Sequence, residues 1–538
     1  MDRVSRKRGL RAVLLFCSFV LAGTALAAAP VHADPAAPGG GERAAPARGD
    51  DADQGRAALA TVERMFGLRG DGRAGRHAHA TLALKDLAIS KKSLTGADRE
   101  AAEQLLSRPS LKDCRQLDYA CYKGKSKRTC SSLICVHWVT KGQDRRNGVA
   151  GADKDDDGIP NYVEFVLKEM NKIHGAYVAT GYRAPLGDGK RGGNSKPDIY
   201  LADLVTSEVS LYGYCTTDDP DLPLYEPTWA YCVLDNDYKR TEFPSNTPKQ
   251  NAQVTAAHEY YHAVQFGYDI FEDNWFMEAT ATWAEDVLYD AVNDNVFYLD
   301  HGQMGHPDVP LDEFQNDGLA QYGNWIFFRY LSDRYGGEEL LLQMWENADM
   351  TGGELTDQYS LQAVENALAD AGIQLDDAFA QFAAANASPE LFYDEAVEND
   401  YPAAPLQDVE WTLGPGAQYS SPANLALDHL ASATYRFLPG SGATNLHVDV
   451  DVNSAEQGGV AVYTVKMVGQ DPFTATVALD SNGVGSFDYS FSPANVEWIT
   501  VTLANASDRF TCWQGTPYSC QGTPTDDNRS QSIVAQAS

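Results

Sequence analysis

The segment at 258–262 (His-Glu-Tyr-Tyr-His) most constrains the fold, because it places two histidines four positions apart in a helix-forming stretch. A helix start precedes it at 247–250 (Thr-Pro-Lys-Gln), with Thr as the N-cap, Pro at the first helical position and Gln closing a capping box. Gly267 is placed as the C-terminal cap, which predicts a helix of about 19 residues. Residues four apart lie on one face of a helix. The sequence therefore predicts two neighbouring imidazoles in mid-helix.

The same segment is typical of a zinc site. Two neutral imidazoles one helical turn apart can bind one tetrahedral Zn²⁺ with bonds of about 2.0–2.1 Å. Glu259 is rotated by about 100° around the helix from His258, so it can reach a water on the metal rather than the metal itself. The competing interpretation is two histidines packed in the core. We expect His258 and His262 to be zinc ligands and Glu259 to be the general base.

A third zinc ligand is expected on the next helix. A helical stretch at 275–285 follows a short polar loop, so the two helices should be antiparallel neighbours. Glu278 lies near its start among apolar residues, and a buried carboxylate is unfavourable unless it is paired or bound to metal. Glu278 is therefore the predicted third ligand. Glu285, two turns further on, is its rival; otherwise it hydrogen-bonds a zinc-bound histidine or lies on a solvated helix face.

Two longer strings carry a resemblance to a known family. His-Glu-Tyr-Tyr-His-Ala-Val-Gln at 258–265 and Trp-Phe-Met-Glu-Ala-Thr-Ala-Thr-Trp-Ala-Glu at 275–285 are similar to motifs of the gluzincin (thermolysin-clan) zinc metallopeptidases. They look most like a family of secreted bacterial metalloproteases that also has an acidic segment upstream, a Tyr-Gly segment downstream and a β-rich C-terminal part. The likeness covers roughly residues 80–505. It implies a mostly helical zincin-type catalytic domain, with the zinc ligands and the base at the positions predicted above.

One departure from thermolysin-like enzymes concerns the residue that orients a zinc-bound histidine. Those enzymes usually carry a carboxylate four residues after the third ligand, where this chain has Thr282. The hydroxyl of Thr282 and the carboxylates of Glu285 and Asp286 are therefore the candidates for that role.

The oxyanion formed during peptide hydrolysis needs a hydrogen-bond donor besides the metal. Tyr322 is the first candidate, because it stands at the head of an aromatic helix at 321–325 (Gln-Tyr-Gly-Asn-Trp). His301 and His306, in a Gly-rich loop, are the alternatives. A purely structural interpretation of Tyr322 is packing against neighbouring aromatic residues.

A second metal site is predicted at 153–164 (Asp-Lys-Asp-Asp-Asp-Gly-Ile-Pro-Asn-Tyr-Val-Glu). Acidic residues at loop positions 1, 3, 5 and 12 with Gly at position 6 have the spacing of an EF-hand calcium loop. The proline at position 8 makes the loop resemble those of thrombospondin type 3 and dockerin repeats. The alternative is a solvated acidic turn before a helix. The candidate ligands of a structural Ca²⁺ are Asp153, Asp155, Asp157, Ile159 through its carbonyl, Asn161 and Glu164.

The N-terminus predicts export. Residues 1–33 have a basic start, an apolar run from Ala12 to Ala29 and small residues after it, which is typical of a secretory signal peptide. An N-terminal membrane anchor is the alternative, although the run is barely long enough to span a bilayer. We expect a secreted protein that has no membrane contact after cleavage. Residues 34–110 are interpreted as a linker and candidate pro-segment.

Eight cysteines remain once the signal peptide, with Cys17, is removed. An even number in an exported chain indicates disulfides. We expect Cys215–Cys232, Cys512–Cys520 and two bridges within 114–135, whose pairing stays open. A zinc–cysteine site in that group is the alternative. The cysteines are Cys114, Cys121, Cys130, Cys135, Cys215, Cys232, Cys512 and Cys520.

The pattern of apolar and polar residues along the chain predicts an α+β protein. Residues 111–400 read as the catalytic domain, with a small mixed subdomain followed by helices. Short alternating strands at 405–510, separated by Gly, Asn, Pro and Ser turns, indicate an antiparallel β-sandwich. Residues 511–538 are interpreted as a disulfide-containing tail.

The charge balance limits the partners. There are 75 Asp and Glu against 42 Lys and Arg, a formal net charge of −33. Nucleic-acid binding needs clustered basic residues, so this class is excluded, and copies of the chain should repel each other and stay monomeric. We therefore predict a zinc-dependent endopeptidase acting on extracellular proteins or peptides. The alternative is a non-catalytic, calcium-dependent binding or adhesion protein on a peptidase-like scaffold.

Overall fold

The computed structural model describes residues 51–68, 80–114, 120–206, 210–353 and 357–538. The predicted signal peptide and the first part of the predicted linker lie outside these ranges. Within them the fold belongs to the α+β class, as predicted, with a β-rich C-terminal part. No helix in these ranges is long and apolar enough to cross a membrane.

Three helices form in the predicted linker and pro-segment: α1 (Asp51–Met65), α2 (Ala80–Ser90) and α3 (Gly96–Leu105). Seven of the 11 residues of α2 are buried. Its leucines belong to the same hydrophobic core as the sheet and helices that follow. The segment is therefore part of the packed structure.

A five-stranded sheet forms from β1 (Lys127–Cys130), β2 (Cys135–Trp138), β3 (Asp198–Ala202), β4 (Gly213–Thr216) and β5 (Tyr231–Asp235). Its spatial order is β1-β2-β3-β5-β4. The three central strands are parallel, whereas β1 and β4 at the edges run antiparallel to their neighbours. The central strands are buried throughout, as expected for parallel strands covered on both faces.

The helices of the middle region are α4 (Asn161–Thr180), α5 (Pro248–Gln265), α6 (Asn274–Tyr289), α7 (Ala320–Gly323), α8 (Trp325–Leu331), α9 (Glu338–Asn347), α10 (Ser360–Asp370) and α11 (Leu375–Asn386). α5 lies at the centre, because it contacts β4, β5, α4 and α6. α6 in turn packs against α7 and α8. This arrangement buries α5 from residue 254 to its end, so its polar side chains need internal partners.

The C-terminal part contains β6 (Trp411–Leu413), β7 (Gln418–Ser420), β8 (Ala426–Leu427), β9 (Ala431–Pro439), β10 (Asn445–Asp451), β11 (Gly459–Met467), β12 (Phe473–Thr476), β13 (Val484–Ser490), β14 (Val496–Asn505), β15 (Phe510–Thr511), β16 (Thr523–Pro524), β17 (Arg529–Ser530) and β18 (Ser532–Ala537). Two larger sheets form, in the orders β13-β10-β18-β7 and β12-β11-β14-β9-β6, beside the two-stranded pairs β15-β16 and β17-β8. Their apolar faces share one core. All pairs within the two sheets are antiparallel except β6 with β9, so the predicted sandwich has one parallel edge.

One predicted boundary needs correction. β18 lies between β10 and β7 inside a sheet, so the sandwich extends to Ala537, and 511–538 is not merely a tail. The helices before residue 400 pack against the strands that follow it. α11 packs on β11 and β14, and Val462 and Ala504 of the sandwich belong to the same buried core as Phe379 of α11.

Four disulfides are present: Cys114–Cys121, Cys130–Cys135, Cys215–Cys232 and Cys512–Cys520. The two specific pairings that the sequence predicts are confirmed, and the open pairing within 114–135 is settled as two short local bridges. Cys130–Cys135 joins β1 to β2, and Cys215–Cys232 joins β4 to β5. Disulfides are typical of proteins in oxidising compartments, in agreement with an extracellular location.

Candidate metal centre

α5 begins as the sequence predicts. The Thr247 hydroxyl accepts the Gln250 N–H at 3.3 Å, and the Gln250 side chain accepts the Thr247 N–H at 3.2 Å. The helix ends at Gln265, with Phe266 rather than Gly267 as its C-cap, so it is 18 residues long. His258 and His262 lie in the buried half of the helix.

Three side chains converge between α5 and α6. The Nε2 atoms of His258 and His262 are 3.1 Å apart. Glu278 Oε2 lies 3.0 Å from His258 Nε2 and 3.7 Å from His262 Nε2. All three residues are buried, with Glu278 only 1% exposed. Glu278 therefore lies where the sequence predicts a third ligand.

The outer ring nitrogens of both histidines have acceptors. His262 Nδ1 lies 2.6 Å from Gln265 Oε1, and the Gln265 amide nitrogen donates to the Met277 carbonyl and the Thr280 hydroxyl. These donations fix the orientation of the Gln265 amide, so His262 Nδ1 carries a proton and its Nε2 is a lone pair. His258 Nδ1 lies 2.7 Å from Glu285 Oε1, which gives the same tautomer.

This arrangement has the character of a cation site. With both Nδ1 atoms protonated, two lone pairs and a carboxylate oxygen face one another without a hydrogen between them. A cation satisfies all three groups at once. Without one, a second proton on His258 takes its place: burial disfavours the charged ring, but hydrogen bonds to Glu278 and Glu285 raise the pKa of His258 well above its ordinary value.

Glu259 lies beside this centre and lines the same cavity as His258. Its Oε2 accepts a hydrogen bond of 2.7 Å from the Thr81 hydroxyl of α2. Burial raises the pKa of Glu259 above the ordinary value, against the attraction of the two histidines. A carboxylate with a raised pKa is a stronger base, which suits proton transfer near neutral pH.

A cavity of about 80 Å³ opens onto the centre. The cavity is lined by His258, Glu259 and Glu285, by 210–213 at the start of β4, and by Tyr298 and Tyr322. The Tyr322 ring stacks on Tyr298 at 4.9 Å and lies 5.8 Å from the His258 ring. Burial raises the pKa of Tyr322 well above 10, so its hydroxyl stays a proton donor. The structure therefore brings Tyr322 to the site, whereas His301 and His306 are exposed and do not line the cavity.

The predictions for the residue that orients a zinc-bound histidine need one correction. The Thr282 hydroxyl donates to the Glu278 carbonyl of its own helix at 3.0 Å, so it is not placed to orient a histidine. Asp286 accepts hydrogen bonds from Asn295 and Arg329 instead. Glu285 takes the role for His258. Burial raises the pKa of Glu285 to about 7, although its hydrogen bond with His258 acts in the opposite direction.

Two site residues are absent from the sequence-based prediction. Gln265 belongs to the same motif string as His262, three residues later on the same helix, so helical spacing could have identified it as a partner. Thr81 has no such signal, because it lies 178 positions from Glu259 along the chain.

The predicted calcium loop is a tight acidic turn before α4. Carboxylate oxygens of Asp153, Asp155 and Asp157 lie within 4.8 Å of one another. Gly158 has a φ of +86°, as the sharp turn at position 6 requires. Asp153 accepts the N–H groups of Asp156 and Gly158, each at 2.8 Å.

The three remaining predicted calcium ligands differ in their surroundings. Partial desolvation and the three aspartates raise the pKa of Glu164, which reflects its position near them. The Asn161 side-chain oxygen accepts the Lys154 N–H at 3.1 Å, so it is used within the loop. Ile159 lies on the turn and donates its N–H to Asp157.

Comparisons with known proteins give no family assignment. No protein-family model matches the chain, and no curated protein matches it either. Among solved structures, the chain is similar to the pre-peptidase C-terminal domain of a collagenase from Bacillus anthracis (9% identity, 25% of this chain and 99% of that one, TM-score 0.15). It is also similar to CorA, a surface-associated copper-binding protein from Methylomicrobium album BG8 (9% identity, 24% and 100% coverage, TM-score 0.13). With scores this low, these likenesses carry no argument about fold or function.

Proposed function

We propose that the protein is a secreted zinc-dependent endopeptidase that hydrolyses peptide bonds of extracellular proteins. The observation that carries the proposal is the convergence of two imidazole lone pairs and the Glu278 carboxylate beside a buried glutamate. A tetrahedral zinc with bonds of about 2.0–2.1 Å has ligand atoms about 3.3–3.4 Å apart. The three observed separations, 3.0 to 3.7 Å, bracket that value.

The residues of the centre have distinct roles in this proposal. His258, His262 and Glu278 hold the zinc, which when bound polarises the scissile carbonyl and lowers the pKa of its water to about 7. Glu259 accepts a proton from the attacking water and passes it to the leaving amine. The Tyr322 hydroxyl, in the lining of the cavity, donates to the developing oxyanion.

Glu285 and Gln265 orient the two histidines. Each holds one Nδ1 proton, so each imidazole presents its Nε2 lone pair to the metal. A carboxylate raises the basicity of its histidine more than an amide does. The two zinc-binding histidines are therefore not equivalent in this proposal.

We also propose that the loop 153–164 binds a structural Ca²⁺. Asp155→Asn removes one negative ligand, whereas Asp156→Asn is a matched control, because Asp156 stands at loop position 4 and its φ of +62° suits Asn. Millimolar calcium is expected to stabilise the wild type by about 1–2 kcal/mol, or about 2–5 °C in Tm. Differential scanning calorimetry with and without calcium should show this shift in the wild type and in Asp156→Asn. It should be lost in Asp155→Asn, and an equal shift in all three proteins would contradict the calcium site.

The test of the proposed function begins with the metal content of the purified protein, measured beside chelator-sensitive hydrolysis of casein. A chelator should remove the zinc bound by the three converging side chains and abolish activity. Adding zinc back should restore activity. Because the ligands must be deprotonated, we expect zinc binding to weaken as the pH falls.

A further inference from the structure

The outer edge of β4 borders the candidate metal centre. Among the described strands, β4 lies at the edge of its sheet and pairs on one side, with β5. The Tyr212 carbonyl accepts the Asp235 N–H on the paired side. Hydrogen-bonded positions alternate along antiparallel strands, so Gly213 and Cys215 direct their backbone groups outward. A Cβ at Gly213 would lie 3.0 Å from Glu259 Cγ, so an extended peptide paired with this edge would pass beside Glu259.

The hydroxyl of Thr81 in α2 forms hydrogen bonds with two groups that such a peptide needs: a backbone N–H of β4 and the Glu259 carboxylate. Thr81 Oγ1 accepts the outward N–H of Cys215 at 2.9 Å and donates to Glu259 Oε2 at 2.7 Å. The Thr81 hydroxyl therefore engages the Cys215 N–H, which a peptide on this edge would use. It also engages Glu259 Oε2, the oxygen that would receive a proton from water. α2 in this position excludes a peptide from that part of β4.

The segment is held on the edge by buried contacts. Leu84 of α2 is fully buried in the main core. The ring of Phe66, just after α1, lies 5.8 Å from the ring of Tyr214 in β4. The Lys85 ammonium donates to the Glu272 carbonyl, between α5 and α6, at 2.8 Å. Separation of α2 exposes this apolar surface to water, so we expect it to remain in place while the chain is intact.

We propose that α2 is an inhibitory segment that closes the β4 edge and the Glu259 carboxylate to substrate until the chain is cut after α2. This inference rests on the proposed peptidase function. The cut falls before Arg108, because the Arg108 guanidinium forms buried ion pairs with Asp198 and Asp218 that belong to the sheet region. The exposed pair Thr95–Gly96, at the N-terminus of α3, lies in that interval.

The first test inserts a recognition sequence for a site-specific protease between Thr95 and Gly96 of the full chain. After cutting and size-exclusion separation of the N-terminal fragment, kcat/KM on a fluorogenic peptide is expected to rise at least tenfold. A synthetic peptide spanning α2 should reverse the gain. Unchanged or lower activity in a separated protein that still holds its zinc would overturn the inhibitory contact and leave the proposed function standing. Absence of zinc before and after the cut would instead contradict the proposed function, and this inference with it.

A second variant keeps the proposal falsifiable if the cut fragment fails to separate. Thr81→Val has nearly the same shape but removes both hydrogen bonds of the hydroxyl, and Thr81→Ser retains them. In the uncut chain we expect kcat/KM to rise severalfold in Thr81→Val and to change much less in Thr81→Ser, which can still form both hydrogen bonds. If Thr81 instead positions Glu259 for catalysis, Thr81→Val lowers kcat, and that sign would overturn the proposal.

Discussion

Replacing Glu259 by Gln is expected to lower peptide hydrolysis by about a thousandfold or more while the zinc content stays unchanged. The side chain is not among the three converging ligand groups, and an amide of the same shape still accepts the Thr81 hydrogen bond. An amide cannot take a proton from water. The loss should therefore appear in kcat, with little change in KM.

The control for this experiment is Glu456→Gln, the same change at an exposed position of the C-terminal sandwich. Wild type and both variants are compared with and without the cut after α2, so that inhibition by α2 affects each pair equally. If Glu259→Gln retains more than a tenth of the wild-type activity, Glu259 is not the general base.

The second large effect is expected from Arg108→Met. Arg108 is fully buried, and its guanidinium contacts Asp188, Asp198 and Asp218 at 2.6 to 2.8 Å. Removing this shared partner leaves the three carboxylates with less charge compensation, and breaking a buried ion pair typically costs about 3–5 kcal/mol. Urea unfolding should show this loss of stability in the transition that includes the five-stranded sheet.

The pH dependence of this effect follows from Asp218. Burial acts to raise the pKa of Asp218, but its hydrogen bonds and attraction to Arg108 outweigh burial and hold that pKa below its usual value. A group whose pKa is lower in the folded state than in the unfolded state stabilises the fold above its unfolded-state pKa, which is about 3.9 for Asp. This stabilisation is lost as the pH falls through the folded-state pKa. The difference in the free energy of unfolding between wild type and Arg108→Met should therefore become smaller below about pH 4.

Arg99→Met is the matched control for Arg108→Met, because Arg99 lies in the same N-terminal segment and forms an exposed pair with Glu103 at 3.0 Å. Such a pair contributes about 0.5 kcal/mol or less. Equal effects of the two changes would contradict a structural role for the buried cluster.

The parts of the fold that sequence reasoning predicts well are local. The Thr-Pro-Lys-Gln start of α5, the two histidines one turn apart and the short-range disulfides depend on residues close together in the chain. Glu278 could be identified because only a short loop separates its helix from α5. These features follow from helix geometry and capping, which act over a few residues.

The parts that sequence reasoning misses depend on contacts between distant segments. In β18 buried residues alternate with more exposed ones, as in many short strands. Only its pairing with β7 and β10 shows that it belongs to the sandwich. Thr282 is one of the candidates that the motif resemblance suggests for orienting a histidine, yet its hydroxyl donates to its own helix, and Glu285, nearly one turn further on, reaches His258. Thr81 meets Glu259 only because α2 packs on β4.

The metal content of the purified full-length protein tests the central claim most directly. Inductively coupled plasma mass spectrometry should find one zinc per chain in the wild type and in Glu259→Gln, and none above background in His262→Ala. Calcium, which we propose binds the separate loop 153–164, should be unaffected by the His262 change. A wild-type protein purified without chelators that contains no zinc, and binds none when zinc is added, would contradict the account.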